Sequence, residues 1–205
     1  MRFVLCLVLL CLGPPVQAER LLVLGDSISA AYGIDKDEGW VRLLERHLDE
    51  QCPAVDVYNA STTGETSAGG LARLPGLLER HDPEVVVIEL GGNDGLRGLP
   101  PERMKQNLAG MISMVREADA QPVLFGMRIP PNYGEVYSRM FEDAFAAVAE
   151  RTEVAFLPFF LEGVAGEEDM MQEDGIHPSA TAQPRLLENA RGALDPLLAP
   201  WCGDD

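Results

Sequence analysis

Ser27 follows an apolar run that stops at Gly25, in the stretch LLVLGDSISAAYG from Leu21 to Gly33. A small hydroxyl residue just past what reads as a buried strand is either a helix cap or a nucleophile. A nucleophile needs a base, and the chain has three histidines. His47 sits among charged residues in a helical pattern and reads as a surface residue. His81, in ERHDPE, reads as a helix end. His177, in DGIHPS, precedes the last helical pattern, with Asp174 three residues upstream and Pro178 after it. One turn brings Asp174 and His177 to the same side, and the proline restricts His177 to extended backbone angles. Asp174 can then hold the imidazole in the tautomer whose acceptor nitrogen faces Ser27. Gly64 in NASTTGET and Asn93 in GGNDGLRG stand at the ends of two further apolar runs. A serine, a glycine-rich turn and an asparagine at one rim suggest acyl transfer.

These groups meet only if the intervening chain brings the run ends together. From Arg20 onward, apolar runs alternate with helical patterns. Strands are expected at Arg20 to Gly25, Ala54 to Ala60, Glu84 to Gly92, Pro122 to Met127 and Val154 to Phe160. They read as continuous apolar runs, the mark of strands buried on both faces. Helices are expected at Trp40 to Glu50, Gly69 to His81, Pro101 to Ala120, Tyr137 to Thr152 and Arg185 to Leu198, with a kink or break at Pro75. The alternation predicts an α/β fold, a three-layer α/β/α sandwich with about five parallel strands. Functional groups of such sheets lie just past the carboxyl ends of the strands.

Of the 205 residues, the first 18 read separately. Met1 and Arg2 precede the apolar run Phe3 to Leu12, then come Gly13, Pro14, Pro15 and VQA. This is the pattern of a secretory signal peptide cut after Ala18, leaving one domain over 19–205 in a periplasmic or secreted protein. The run is too short for a permanent membrane anchor. Export removes Cys6 and Cys11 and leaves Cys52 and Cys202 in an oxidising compartment, where a disulfide between them is expected. The alternative is two unpaired thiols. The net charge of −17, with 33 acidic against 16 basic residues, disfavours nucleic acid and anionic membrane surfaces as partners. The acidic run Glu167, Glu168, Asp169 lacks the spacing of a calcium loop and reads as solvated.

The blocks GDSIS, NASTTGETSAGGLARLP, VVVIELGGNDGLRG and DGIHP resemble, in order, those of the SGNH (GDSL-type) hydrolases. The likeness is greatest to their periplasmic thioesterase, protease, lysophospholipase and arylesterase branch, and spans roughly Leu21 to Leu198. The resemblance implies a flavodoxin-like sheet, Ser27 as nucleophile, Asp174 and His177 completing a triad, and an oxyanion hole of the Ser27 and Gly64 N–H groups and the Asn93 amide. No cofactor or metal is implied. His177 must be neutral to accept the Ser27 proton, so activity should favour neutral to alkaline pH. The implied reaction cleaves acyl esters, acyl thioesters or lysophospholipids through an acyl-enzyme, in a monomer. Apolar loops past the third and fourth strands offer Leu96, Leu99, Ile129, Pro130 and Tyr133 as candidates for an acyl groove, Leu96 and Leu99 by resemblance. The alternatives are a carbohydrate or peptidoglycan O-acetylesterase on the same fold and a non-enzymatic acyl-binding protein.

Overall fold

A computed structural model describes residues 18–202. The expected signal peptide therefore lies outside the described residues except for Ala18. Five parallel strands form one sheet: β1 (Glu19–Gly25), β2 (Val55–Asn59), β3 (Val85–Glu89), β4 (Gln121–Phe125) and β5 (Ala155–Leu157). The spatial order is β2-β1-β3-β4-β5. Leu21, Leu22, Val23 and Leu24 in β1, and the whole of β3, are buried. Neither strand alternates, because helices cover both faces of the sheet.

One helical layer is α1 (Trp40–Gln51) against α6 (Gln183–Leu198). The other is α2 (Ser67–His81), α4 (Pro101–Glu117) and α5 (Glu135–Thr152), with α4 packed between its neighbours. A single short turn, α3 (Gly92–Leu96), follows β3. Under the first layer the rings of Trp40, Phe125 and Phe160 converge, with Phe160 5.2 Å from Trp40 and 4.9 Å from Phe125. Under the second, Phe141 and Phe145 meet edge to face at 5.3 Å. The three-layer reading of the sequence holds.

A break at Pro75 and the full length of the fifth strand do not. Helix α2 runs unbroken through Pro75 and starts earlier, at Ser67. Thr66 caps it by accepting the Gly69 N–H at 3.3 Å. Leu74, Leu77 and Leu78 pack on the core around the proline, so burial on both sides outweighs the one helical hydrogen bond that Pro75 cannot make. Strand β5 is shorter than its apolar run, ending at Leu157. Pro158 has no N–H to continue the ladder, and beyond it the chain turns to let the Phe160 N–H donate to Gly126 at 2.9 Å.

Cys52 and Cys202 are joined by a disulfide, 150 positions apart in the chain. Cys52 follows α1 and precedes β2, so the bridge lies at the rim opposite the strand ends that carry Ser27, Gly64 and Asn93. By loop-closure entropy a ring this long is worth at most about 5 kcal/mol. Replacing both cysteines by serine should lower the melting temperature by about 5–15 °C. Ester hydrolysis at 25 °C should be unaffected. An unchanged melting curve would show that the bridge does not restrain the unfolded chain.

Candidate active site

Ser27 does not open a helix. After β1 the chain makes a series of turns, with the Ala30 N–H donating to the Asp26 carbonyl and the Tyr32 N–H to that of Ser27, both at 3.0 Å. Two local facts prevent a helix. The Asp26 side chain takes the Ile28 N–H at 3.1 Å, a turn that competes with helical bonding. Ala31 and Gly33 have φ of 57° and 76°, in the left-handed region that stops right-handed propagation. Regular helix begins only at Trp40, so no helix dipole is centred on the serine.

The loop before α6 reaches across to this turn. The Ser27 hydroxyl donates to His177 Nε2 at 2.9 Å, and His177 Nδ1–H donates to Asp174 Oδ2 at 2.6 Å. The other carboxylate oxygen accepts the backbone N–H groups of Ile176 at 2.9 Å and His177 at 3.0 Å. Desolvation alone would raise the Asp174 pKa, but these bonds from His177 and Ile176 outweigh it and bring the value down to about 2. Asp174 therefore stays ionised at neutral pH and accepts only, which fixes the imidazole tautomer. The Tyr32 ring packs 4.5 Å from the His177 ring. Gln172 Nε2 donates to the carbonyls of Tyr32 at 2.8 Å and Pro178 at 2.9 Å, tying the histidine loop to the serine loop. His47 lies half-buried on α1, and His81 ends α2 with its ring against Tyr58.

Gly64 and Asn93 flank the serine from the two strands beside β1. Gly64 has φ 76°, open to glycine and strained for any other residue. Its carbonyl accepts from Arg97 Nη2 at 2.8 Å, which links the β2 loop to the end of α3. Asn93 sits on α3, and its Nδ2 donates to Asp26 Oδ2 at 3.0 Å. Asp94, the next residue on α3, braces two helices. It accepts the Ser67 N–H at 2.8 Å and the Ser67 hydroxyl at 2.6 Å, while Asn107 on α4 donates to that hydroxyl at 2.9 Å.

Behind Asp26 lies Glu89, the last residue of β3, with no exposed surface. Its Oε2 accepts the Ser29 hydroxyl at 2.7 Å and the Asp26 N–H at 3.3 Å. Trp40 Nε1–H in turn donates to the Ser29 oxygen at 3.1 Å. Gly25 has no room for a side chain, because a Cβ there would lie 2.8 Å from Glu89 Oε2. Burial first, and the Asp26 charge second, push the Glu89 pKa well above the usual carboxylate range. Sequence reading passed over this residue inside an apolar run. The available signal was a lone acid in a strand buried on both faces.

Ser27, Asn93 and His177 stand at one end of a cavity of about 490 Å³. Leu96, Ile129 and Pro130 line it, joined by Phe159, Leu161 and Met171 from the chain after β5. Two sequence candidates fall outside the lining. The Tyr133 hydroxyl donates to the Leu96 carbonyl at 2.8 Å, which engages its polar end with α3 and leaves the ring 37% exposed. Leu99 is 38% exposed, its carbonyl held by the Tyr137 hydroxyl at 2.7 Å.

A model described as the GDSL-like lipase/acylhydrolase family matches residues 23–183. Esterase TesA of Pseudomonas aeruginosa is 53% identical over 193 residues, covering 94% of this chain and 96% of that one. Thioesterase 1/protease 1/lysophospholipase L1 of Escherichia coli (strain K12) is 43% identical over 181 residues, covering 88% and 86%. A crystal structure of TesA is similar with a TM-score of 0.86 and 54% identity, over 88% of this chain and 100% of that one.

The buried acid gives a pH-dependent stability. Because folding raises the Glu89 pKa, the native state binds more protons than the unfolded chain once pH passes the ordinary carboxylate range. Stability therefore falls as pH rises above the ordinary carboxylate range. Glu89→Gln mimics the neutral acid and should flatten that decline in urea midpoints. An equal decline in both proteins would mean that Glu89 titrates normally.

Proposed function

The chain belongs to the GDSL-like lipase/acylhydrolase family and is a carboxylic ester hydrolase; from that premise we propose that it works as a serine hydrolase with Ser27, His177 and Asp174 as its triad. The observation that carries this reading is the unbroken hydrogen-bonded line from the Ser27 hydroxyl through His177 to Asp174 at the mouth of the apolar cavity. His177 Nε2 takes the Ser27 proton as Oγ attacks the acyl carbon, and the carbonyl electron pair moves onto oxygen. The Ser27 N–H, the Gly64 N–H and Asn93 Nδ2 receive that charge, each such donor being worth about 3 kcal/mol of barrier. Collapse expels an alcohol or thiol, which leaves with the proton from His177. Water then repeats the sequence on the acyl-enzyme, releasing the acid and restoring Ser27.

The substrate is an acyl ester, acyl thioester or lysophospholipid. Leu96, Ile129 and Phe159 wall a space suited to a hydrocarbon chain, which disfavours an acetyl group on a sugar. No helix among the described residues is long and apolar enough to cross a membrane. The reading includes export with cleavage after Ala18, supported by the leader pattern and by a disulfide that persists in an oxidising compartment.

Ser27→Ala should lower p-nitrophenyl ester hydrolysis by at least about 10³-fold while leaving the melting curve intact. Retained hydrolysis in a folded variant would overturn the mechanism. Enzyme recovered outside the cytoplasm should have an intact mass that begins at Glu19. A mass that retains Met1 would overturn the export reading.

A further inference from the structure

The acyl-transfer steps leave one buried group at the site without a task. Asp26 is 2% exposed. Its Oδ1 is held by the Ile28 N–H at 3.1 Å and its Oδ2 by Asn93 Nδ2 at 3.0 Å. With both oxygens engaged, the carboxylate cannot turn away from the asparagine. Gly92 allows the close approach, since a Cβ there would lie 3.3 Å from Oδ2.

We propose that Asp26 is a positioning residue, whose ionised carboxylate fixes the orientation of the Asn93 amide so that a second N–H of the same nitrogen is left for the substrate oxygen. The proposal rests on the reading of Asn93 as an oxyanion donor. The two ends of a primary amide are nearly equal in shape and opposite in hydrogen-bonding character. An ionised carboxylate accepts only, so the amide nitrogen must face it. A protonated carboxyl group donates as well, and tolerates the reversed amide. The reversed amide presents a carbonyl oxygen to the place where negative charge develops, and the donor becomes a repulsive group. Protonation of Asp26 therefore removes one of the three donors of the hole while leaving the hydrogen-bonded line from Ser27 through His177 to Asp174 in place.

The groups facing Asp26 come from three elements: Glu89 at the end of β3, Asp94 on α3 and His177 before α6. Burial is the largest influence and raises Asp26 to about 6, with Asp94 adding to the rise and Ile28, Asn93 and His177 opposing it. Glu89 lies deeper and accepts two hydrogen bonds through one oxygen, while its Oε1 has no partner. Of the coupled pair, Glu89 keeps its proton longer and Asp26 is the member that ionises first. Full activity then needs Asp26 ionised.

The test is p-nitrophenyl butyrate hydrolysis by wild type, Asp26→Asn, Asn93→Ala and the double variant, with kcat followed against pH. Asp26→Asn should lower kcat tenfold or more with KM within twofold of wild type. In the Asn93→Ala background the same change should cost less than twofold, since the amide it orients is gone. Protonation of Asp26 should add a fall of tenfold or more to the acid limb of log kcat in wild type, and that fall should be absent in Asp26→Asn. An unchanged kcat, or a loss of equal size in the Asn93→Ala background, would overturn the proposal. An inert Asn93→Ala would instead overturn the oxyanion reading on which it stands. Should Asp26→Asn not fold, Asp26→Ala alone and together with Asn93→Ala decides: a loss of equal size in both backgrounds overturns the proposal.

Discussion

Everything at the site depends on β1 having a parallel neighbour on each side. Leu21 pairs with Val57 of β2 and with Val85 of β3, so all three strands run out at the same rim. Ser27, Gly64 and Asn93 arrive there from three separate parts of the chain with no loop needing to be long. A sheet in sequence order would have left the serine at an edge, with donors on one side only. The fourth contribution, His177, comes from beyond β5 and is brought over the rim by the last helix. Gln183 at the start of α6 accepts the Trp40 N–H at 2.9 Å, and Gln172 holds the serine loop directly. The 2.9 Å contact between Ser27 and His177 is thus the closing link of a frame set by strand order.

The wall behind Ser27 is acidic. Asp26, Glu89 and Asp94 are all buried there, and among the described residues none of the Lys or Arg ion pairs reaches them. Burying carboxylates without cations is costly, and each is satisfied differently. Asp94 collects donors from Ser67 and becomes a joint between helices. Glu89 is held toward its neutral form by burial. Asp26 is the one hydrogen-bonded to Asn93. The stability given up by this wall fixes the positions of the turn after β1 and the turn after β3, the two segments that must not drift relative to each other.

The framework was legible in the sequence because buried parallel strands are continuous apolar runs, and five of them stand out between helical patterns. Ser27, Asn93, Asp174 and His177 were legible because run ends and a Pro-bounded turn are local features. The errors were tertiary. Pro75 reads as a kink or break in isolation, yet the helix continues through it with Leu74 and Leu78 packed on the core. The turn after β1 reads as a helix start until the left-handed Ala31 is seen. Tyr133 and Leu99 are apolar and adjacent to the site in sequence, but hydrogen bonds from Tyr133 and Tyr137 to the backbone after β3 decide which way that segment faces. Glu89 was hidden by its neighbours, since an acid within VVVIEL leaves the run's apolar character unchanged.

The bridge between Cys52 and Cys202 has a geometric consequence beyond its effect on the unfolded chain. The Glu19 N–H donates to the Ala54 carbonyl at 2.7 Å, two residues past Cys52. The start of β1 and the end of the last turn therefore share one corner of the molecule. A short linker across that corner would make the chain a closed ring, and fresh ends could be opened in exposed turns on the same side, the condition under which circular permutation is tolerated. An attachment at Glu19 or Cys202 would sit at the foot of the sheet, on the side away from the rim that carries Ser27.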